Sequence, residues 1–297
     1  MNPLIDVPGL EARLAAGRRT VLLDVRWVLG DPHGLEHYLA EHLPGAVFVD
    51  LAAELADSTV PDRGRHPLPS RVRFQESARR WGIRKGDVVV AYDDSGNMAA
   101  ARLWWMLRDA GVTGVYLLDG GLAAWRAAGL PREAGPVHPV PGDVELGTGQ
   151  MPVTDAGAAA TWPQSGLLLD ARAGERYRGE IEPVDPRAGH IPGAVSAPTA
   201  ANLDQAGRFL APAELRRRFE ALGVQDGRPV AVYCGSGVTA AHEVAALELA
   251  GFSAALYPGS FSEWSNRPDL PVATGPEPGD AAAPAGKSGG AGGSVAL

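Results

Sequence analysis

The chain holds one cysteine, Cys234, in surroundings that suit a nucleophile. It closes the apolar run 229–233 and opens a loop of small residues, Cys234-Gly235-Ser236-Gly237-Val238-Thr239. A helix-like stretch, 240–251, follows directly. Strand, short loop and helix in that order deliver a thiol to the carboxyl edge of a sheet. Gly235 and Gly237 let the loop curl so that several backbone N–H groups face the sulfur, with a helix N-terminus behind it. Both effects favour thiolate over thiol, and the thiolate is the form that attacks. The competing reading is a buried, inert cysteine, a common fate for this residue type. The loop chemistry decides for the nucleophile.

Composition sets the frame around that thiol. The 297 residues allow two domains, each with its own core, and 45% hydrophobic with 21% charged content describes a soluble globular chain. One cysteine excludes an intramolecular disulfide and a Cys-based zinc site, so no metal is expected and a reducing cytoplasm fits. The start Met1-Asn2-Pro3-Leu4-Ile5-Asp6 has neither the basic residues nor the apolar run of a signal peptide. No stretch approaches ~20 apolar residues, so no membrane association is expected. A net charge of −8 argues against a nucleic-acid surface. An anionic substrate must therefore be drawn in by local arginines.

The two halves of the chain echo one another in a conserved order. Leu22-Leu23-Asp24-Val25-Arg26 returns as Leu168-Leu169-Asp170-Ala171-Arg172, and His42-Leu43-Pro44-Gly45-Ala46 as His190-Ile191-Pro192-Gly193-Ala194. Tyr92-Asp93-Asp94-Ser95-Gly96 parallels Tyr233-Cys234-Gly235-Ser236-Gly237, and the segment Asp119 to Trp125 parallels Pro258 to Trp264. One domain has been duplicated. Strands are expected at 20–24, 46–49, 87–92 and 115–118, then at 166–170, 195–197, 229–233 and 254–257. Helices are expected at 71–81, 98–110, 212–222 and 239–250. Alternation of this kind implies an α/β fold: two tandem domains, each a mainly parallel sheet flanked by helices. The expected boundaries are 4–131 and 151–273, joined by a Pro/Gly-rich linker, 132–150. A tail, 274–297, is expected to be disordered.

These motifs resemble the two-domain rhodanese-type sulfurtransferases over residues 4–273. The resemblance rests on Asp170-Ala171-Arg172, Arg176-Tyr177-Arg178-Gly179, Gly189-His190-Ile191-Pro192-Gly193-Ala194 and the Cys234–Thr239 loop. It implies ping-pong transfer of sulfane sulfur through a Cys234 persulfide, with no cofactor. The uncharged loop is similar to that of 3-mercaptopyruvate sulfurtransferases, whereas members that use thiosulfate carry charged residues after the cysteine. The implied partners are a small anionic sulfur donor and an acceptor that is cyanide in assays and a thiol or thioredoxin-like protein in cells.

The resemblance also assigns roles. Asp93 stands where the repeat places Cys234, so the first domain should be catalytically silent and cover the second. Arg176 and Arg187 are the expected donor-binding arginines; Arg187 fits the family's Glu-Pro-Arg only by slipping two residues along Glu182-Pro183-Val184-Asp185-Pro186-Arg187. Gly235, Gly237, Val238 and Thr239 face the substrate, and Thr239 also caps the helix. Ser236 is expected to work with His66, whose acidic partner is open among Asp50, Asp57 and Asp62. His42, His190, Asp24, Asp170, Trp125 and Trp264 occur in both copies and so read as structural. Trp104 and Trp105 are expected at the domain interface, and His242 facing solvent.

Other functions remain in view. A cysteine phosphatase of this fold needs an arginine six residues after the cysteine to clamp phosphate, and position 240 is alanine. Thiosulfate is the alternative donor. A persulfide carrier or redox-sensing module is the alternative without small-molecule turnover.

Overall fold

The computed structural model describes residues 2–280. Two parallel sheets form its frame. The first contains β1 (Leu4–Ile5), β2 (Thr20–Asp24), β3 (Val47–Phe48), β4 (Val88–Tyr92) and β5 (Val115–Leu118), in the order β1-β5-β4-β2-β3. The second contains β6 (Leu167–Asp170), β7 (Val195–Ser196), β8 (Val230–Tyr233) and β9 (Ala255–Leu256), in the order β7-β6-β8-β9. Every pairing within them is parallel. The expected strands and the four long helices are present, shortened at some ends by a residue or two. Helices lie on both faces, which is why β6 and β8 are buried along their whole length.

Register makes the duplication physical. Asp24 lies opposite Tyr92 in one sheet and Asp170 opposite Tyr233 in the other. The next residues, Asp93 and Cys234, therefore leave equivalent sheet edges. The paired motifs do matching structural work. Arg26 and Arg172 fork back onto Asp24 and Asp170 at 2.7 and 2.6 Å. His42 and His190 stack on Tyr38 and Tyr177, and Trp125 and Trp264 each donate to a proline carbonyl at 2.7 Å.

The domains meet through the helices that follow the two loops, Ala100–Asp109 and Thr239–Leu249. Ala100 to Leu107 and Ala240 to Leu247 are buried without a break, so these helices have no solvent face for most of their length. One apolar cluster runs across the seam from Phe74 and Trp104 to Phe219 and Val244. Trp104 and Trp105 lie within this cluster, and burying each contributes up to about 5 kcal/mol at ~25 cal/mol per Å².

Two segments outside the sheets are bound to the frame. Residues 132–150 form a strap bound to the first domain: Gly142 and Gly147 N–H donate to Arg79 and Ala110 carbonyls, and Val144 and Leu146 are buried. The tail begins docked as well, since Gly275 N–H donates to the Arg178 carbonyl and Pro278 accepts from Gly193. The rest of the expected disordered tail, 281–297, lies outside the described residues.

Candidate active site

Cys234 sits at the end of β8 and is 1% exposed. Gly237 N–H points at its sulfur, 3.1 Å from Sγ. That turn requires glycine. Gly237 has φ +76°, and a Cβ there would lie 2.3 Å from the Pro258 carbonyl. The other side of the loop is pinned by Ser260 Oγ to Cys234 N–H and by Phe261 N–H to the Cys234 carbonyl. Thr239 is the first residue of the following helix, not its cap; Val238 holds that place, and no side chain caps the end. Those N–H groups thus stay directed at the loop.

A cavity of about 570 Å³ opens over the sulfur, and Gly235, Ser236, Val238 and Thr239 line it. Gly237 lies behind Cys234, outside that lining. Arg176 is on the wall, with Nη2 held by Glu182 at 2.6 Å and Asp185 at 3.2 Å. A methyl group on Gly235 would lie 3.4 Å from Arg176 Nη1, so this edge of the guanidinium faces the loop.

Arg187 is elsewhere. Its guanidinium donates to the carbonyls of Trp264, Ser265, Arg267 and Leu270 at 2.8 to 2.9 Å, closing the end of the Ser260–Trp264 helix. With its donors spent on backbone, it cannot serve the cavity, and the two-residue slip that selected it is wrong. The second arginine over the loop is Arg65, from the first domain. It pairs with Asp185, lines the cavity and lies 3.0 Å (Nη2) from a methyl placed on Gly235. Asp185 thereby joins Arg65 and Arg176. Arg65 was not foreseen, because a lone arginine in Asp62-Arg63-Gly64-Arg65-His66 carries no periodic signal. The one local clue is Gly64, at φ +89°, where a Cβ would meet the Gly259 carbonyl at 2.6 Å.

His66 and Ser236 do meet: Nδ1 and Oγ are 2.8 Å apart across the domain seam. Burial, with Arg102 and Arg65 nearby, pushes the imidazole down to about 4, so it is neutral at pH 7. Trp27 packs edge-on against its ring at 5.3 Å. Among the described residues, none of the three candidate acids bonds its ring. Asp50 caps the Leu51–Glu54 helix, Asp57 binds Arg73 and Thr59, and Asp62 is exposed.

Asp93 fills the equivalent loop of the first domain. Its buried carboxylate accepts from the N–H groups of Ser95, Asn97, Ala99 and Ala100 at 2.7 to 3.0 Å. The duplicated loop is thus a cradle for a small anion, and here a side chain of the chain itself occupies it.

His242 corrects another expectation. It is fully buried, not solvent-facing, bonded to Thr199 Oγ1 at 2.7 Å and the Gly96 carbonyl at 3.1 Å, and stacked on Phe209. Burial pushes it down to about 3. Arg102 was missed altogether. It is fully buried and donates to the carbonyls of Gly237, His66 and Leu55. Its signal is a single charge inside the apolar run 98–107. Among the described residues, no group of three or more His, Cys, Asp or Glu side chains is placed to hold a metal, and no helix is long and apolar enough to cross a membrane.

Comparison with known proteins matches this architecture. A rhodanese-like domain model fits residues 7–128 and again 155–267. A Mycobacterium tuberculosis relative, whose name proposes a thiosulfate sulfurtransferase, is 48% identical over 280 residues, 92% of this chain and 97% of its own. A Pseudomonas aeruginosa relative, whose name proposes a 3-mercaptopyruvate sulfurtransferase, is 48% identical over 284 residues, 92% of this chain and 98% of its own. The crystal structure of the 3-mercaptopyruvate sulfotransferase SseA from Escherichia coli superposes with a TM-score of 0.78 at 32% identity, covering 88% of this chain and 99% of that one. With one domain model fitting both halves and relatives aligned over nearly their full length, the chain belongs to the rhodanese family.

Proposed function

We propose that this protein is a sulfurtransferase that loads sulfane sulfur from 3-mercaptopyruvate onto Cys234 and passes it to a thiol. The Cys234 thiolate attacks the donor sulfur, an S–S bond forms and the carbon–sulfur bond breaks. The electron pair goes to the former thiol-bearing carbon, and the donor's own S–H proton ends there, giving pyruvate and an anionic persulfide. An acceptor thiolate then attacks the outer sulfur, and Cys234 leaves as thiolate. Cyanide replaces that thiol in assays; a thioredoxin-like protein in a reducing cytoplasm is the cellular acceptor.

The observation that carries the donor choice is the 2.8 Å contact between Ser236 Oγ and His66 Nδ1 beside the cysteine loop. Pyruvate needs a proton on carbon as it leaves, and a hydroxyl paired with a neutral imidazole can relay one. Sulfite leaving from thiosulfate needs none. Arg176 Nη1 and Arg65 Nη2, which face the loop from either side of Asp185, receive the donor's carboxylate. The first domain contributes Arg65 and His66 but no nucleophile.

Thiosulfate is the second reading, because the same two arginines suit a sulfonate and an equally similar relative is named for that donor. The test is thiocyanate formation with each donor, with Cys234→Ser as control. A higher kcat/KM for 3-mercaptopyruvate supports the proposal, and a His66→Gln variant should then lose more rate with that donor than with thiosulfate. Preference for thiosulfate with no His66 dependence would sink it. Persulfide on Cys234 without turnover of either donor would point to a carrier.

A further inference from the structure

We propose that Arg102, from the domain without the cysteine, is the counter-charge that holds Cys234 as an anion, first as thiolate and then as persulfide. Naming the persulfide rests on the sulfurtransferase reading; pairing with the thiolate does not.

The buried charges of the cavity wall are paired without Arg102, and Glu175 on its rim is exposed to solvent. Arg65, Arg172 and Arg176 are matched by Asp170, Glu182 and Asp185 in one continuous network. His66 is neutral, held down at about 4 by burial. On the helix packed against Arg102, Glu243 is bonded to Asn202 and raised to about 7 by burial, and Glu248 pairs with Arg108. On the segment below it, Glu54 pairs with Arg80 and Asp57 with Arg73.

At the start of Arg102's own helix, Asp93 is held by four N–H groups, so Arg102 is the buried cation left over. It is fully buried, its bonds go to three neutral carbonyls, and its Nε has no partner among the described residues. A buried guanidinium without an anion is strongly unfavourable. Cys234 is the anion-forming group that acts on it electrostatically, opposing the burial that holds Arg102 down at about 10.

Gly237 connects the two. Its N–H lies 3.1 Å from the sulfur, and its carbonyl accepts from Arg102 Nη1 at 3.1 Å. One peptide-bearing residue thus presents its positive side to the sulfur and its negative side to the guanidinium. The cradle around Asp93 shows that a loop of this shape aims several N–H groups at one acceptor. In the second domain the cradle holds a sulfur, and the compensating charge comes from across the seam.

The experiment is alkylation of Cys234 by neutral iodoacetamide as a function of pH, in the full chain and without any sulfur donor. Arg102→Met should move the midpoint of the rate profile to higher pH and lower the rate at pH 7 about tenfold. Arg102→Lys, which keeps the charge, should keep most of the wild-type rate. Coincident profiles in all three proteins, with native near-UV circular dichroism, would overturn the proposal and leave Arg102 as a carbonyl clamp. If Arg102→Met does not fold, the comparison moves to the Cys234→Ala background. There Arg102 has already lost its anion, so Arg102→Met should cost less stability than with Cys234 present; an equal cost in both backgrounds also overturns the proposal. Alkylation reads the thiolate alone, so a failed sulfurtransferase reading would leave this result standing.

Discussion

Arg102 and His242 cross the domain seam in opposite directions to reach equivalent atoms. Arg102 Nη1 donates to the Gly237 carbonyl and His242 Nε2 to the Gly96 carbonyl, each at 3.1 Å. Gly96 is the first-domain counterpart of Gly237. Because a carbonyl only accepts, His242 must carry its proton on Nε2, and its Nδ1 then accepts from Thr199. The loop with the cysteine is therefore braced by a cation and the loop with the carboxylate by a neutral ring. The duplicated frame is symmetric, and the charge placed on it is not.

The Asp93 carboxylate should matter for stability and not for transfer. Asp93→Ala leaves four N–H groups, three of them buried, without their acceptor, a loss of about 3 kcal/mol, or roughly 6–12 °C in Tm. Sulfur transfer per folded molecule should stay within about twofold of wild type. A variant with native Tm and no transfer would give Asp93 a chemical role and end the view of a silent first domain.

Arg187 and Arg65 should separate stability from donor binding. Arg187→Ala removes donors from four carbonyls at one helix end and should cost about 2 kcal/mol with the donor KM unchanged. Arg65→Ala and Arg176→Ala should raise the donor KM several-fold and at least tenfold, respectively. Steady-state kinetics beside thermal melts decides this; a raised donor KM in Arg187→Ala at native stability would restore it to the site.

Acid should destabilise the fold through two histidines, partly offset by one glutamate. His66 and His242 are pushed down from 6.5 to about 4 and about 3, so between pH 4.5 and 6.5 they bind protons only when unfolded. Stability from them is full above pH 6.5 and falls as pH drops. Glu243, raised from 4.5 to about 7, is protonated only in the folded state over that window and acts in the opposite sense. These three groups together predict uptake of about one proton on unfolding, or about 1.4 kcal/mol lost per pH unit. Urea titrations across pH 4.5–6.5 would measure the slope, and His242→Asn should flatten it. An unchanged slope in that variant would mean the ring is already charged in the folded protein.

The sequence alone determined the duplicated α/β frame, the cysteine loop and the absence of a thiol in the first half. Those features are local: apolar runs of strand length, helical spacing, and glycines where the backbone must turn at Cys234. The pairing of His66 with Ser236 was implied by the family resemblance, and not by any local pattern in the chain. Only the tertiary structure decided which arginines serve the site. Arg187 looked right by its neighbours and is spent on carbonyls, whereas Arg65 and Arg102 reach the Cys234 loop from another domain. His242 looked like a surface residue because its helix continues a polar pair, His242-Glu243, and the seam buries both. The reason is physical: backbone conformation follows neighbours in sequence, but charge compensation and burial depend on whatever surface packs opposite. Here that surface is the other copy of the same domain.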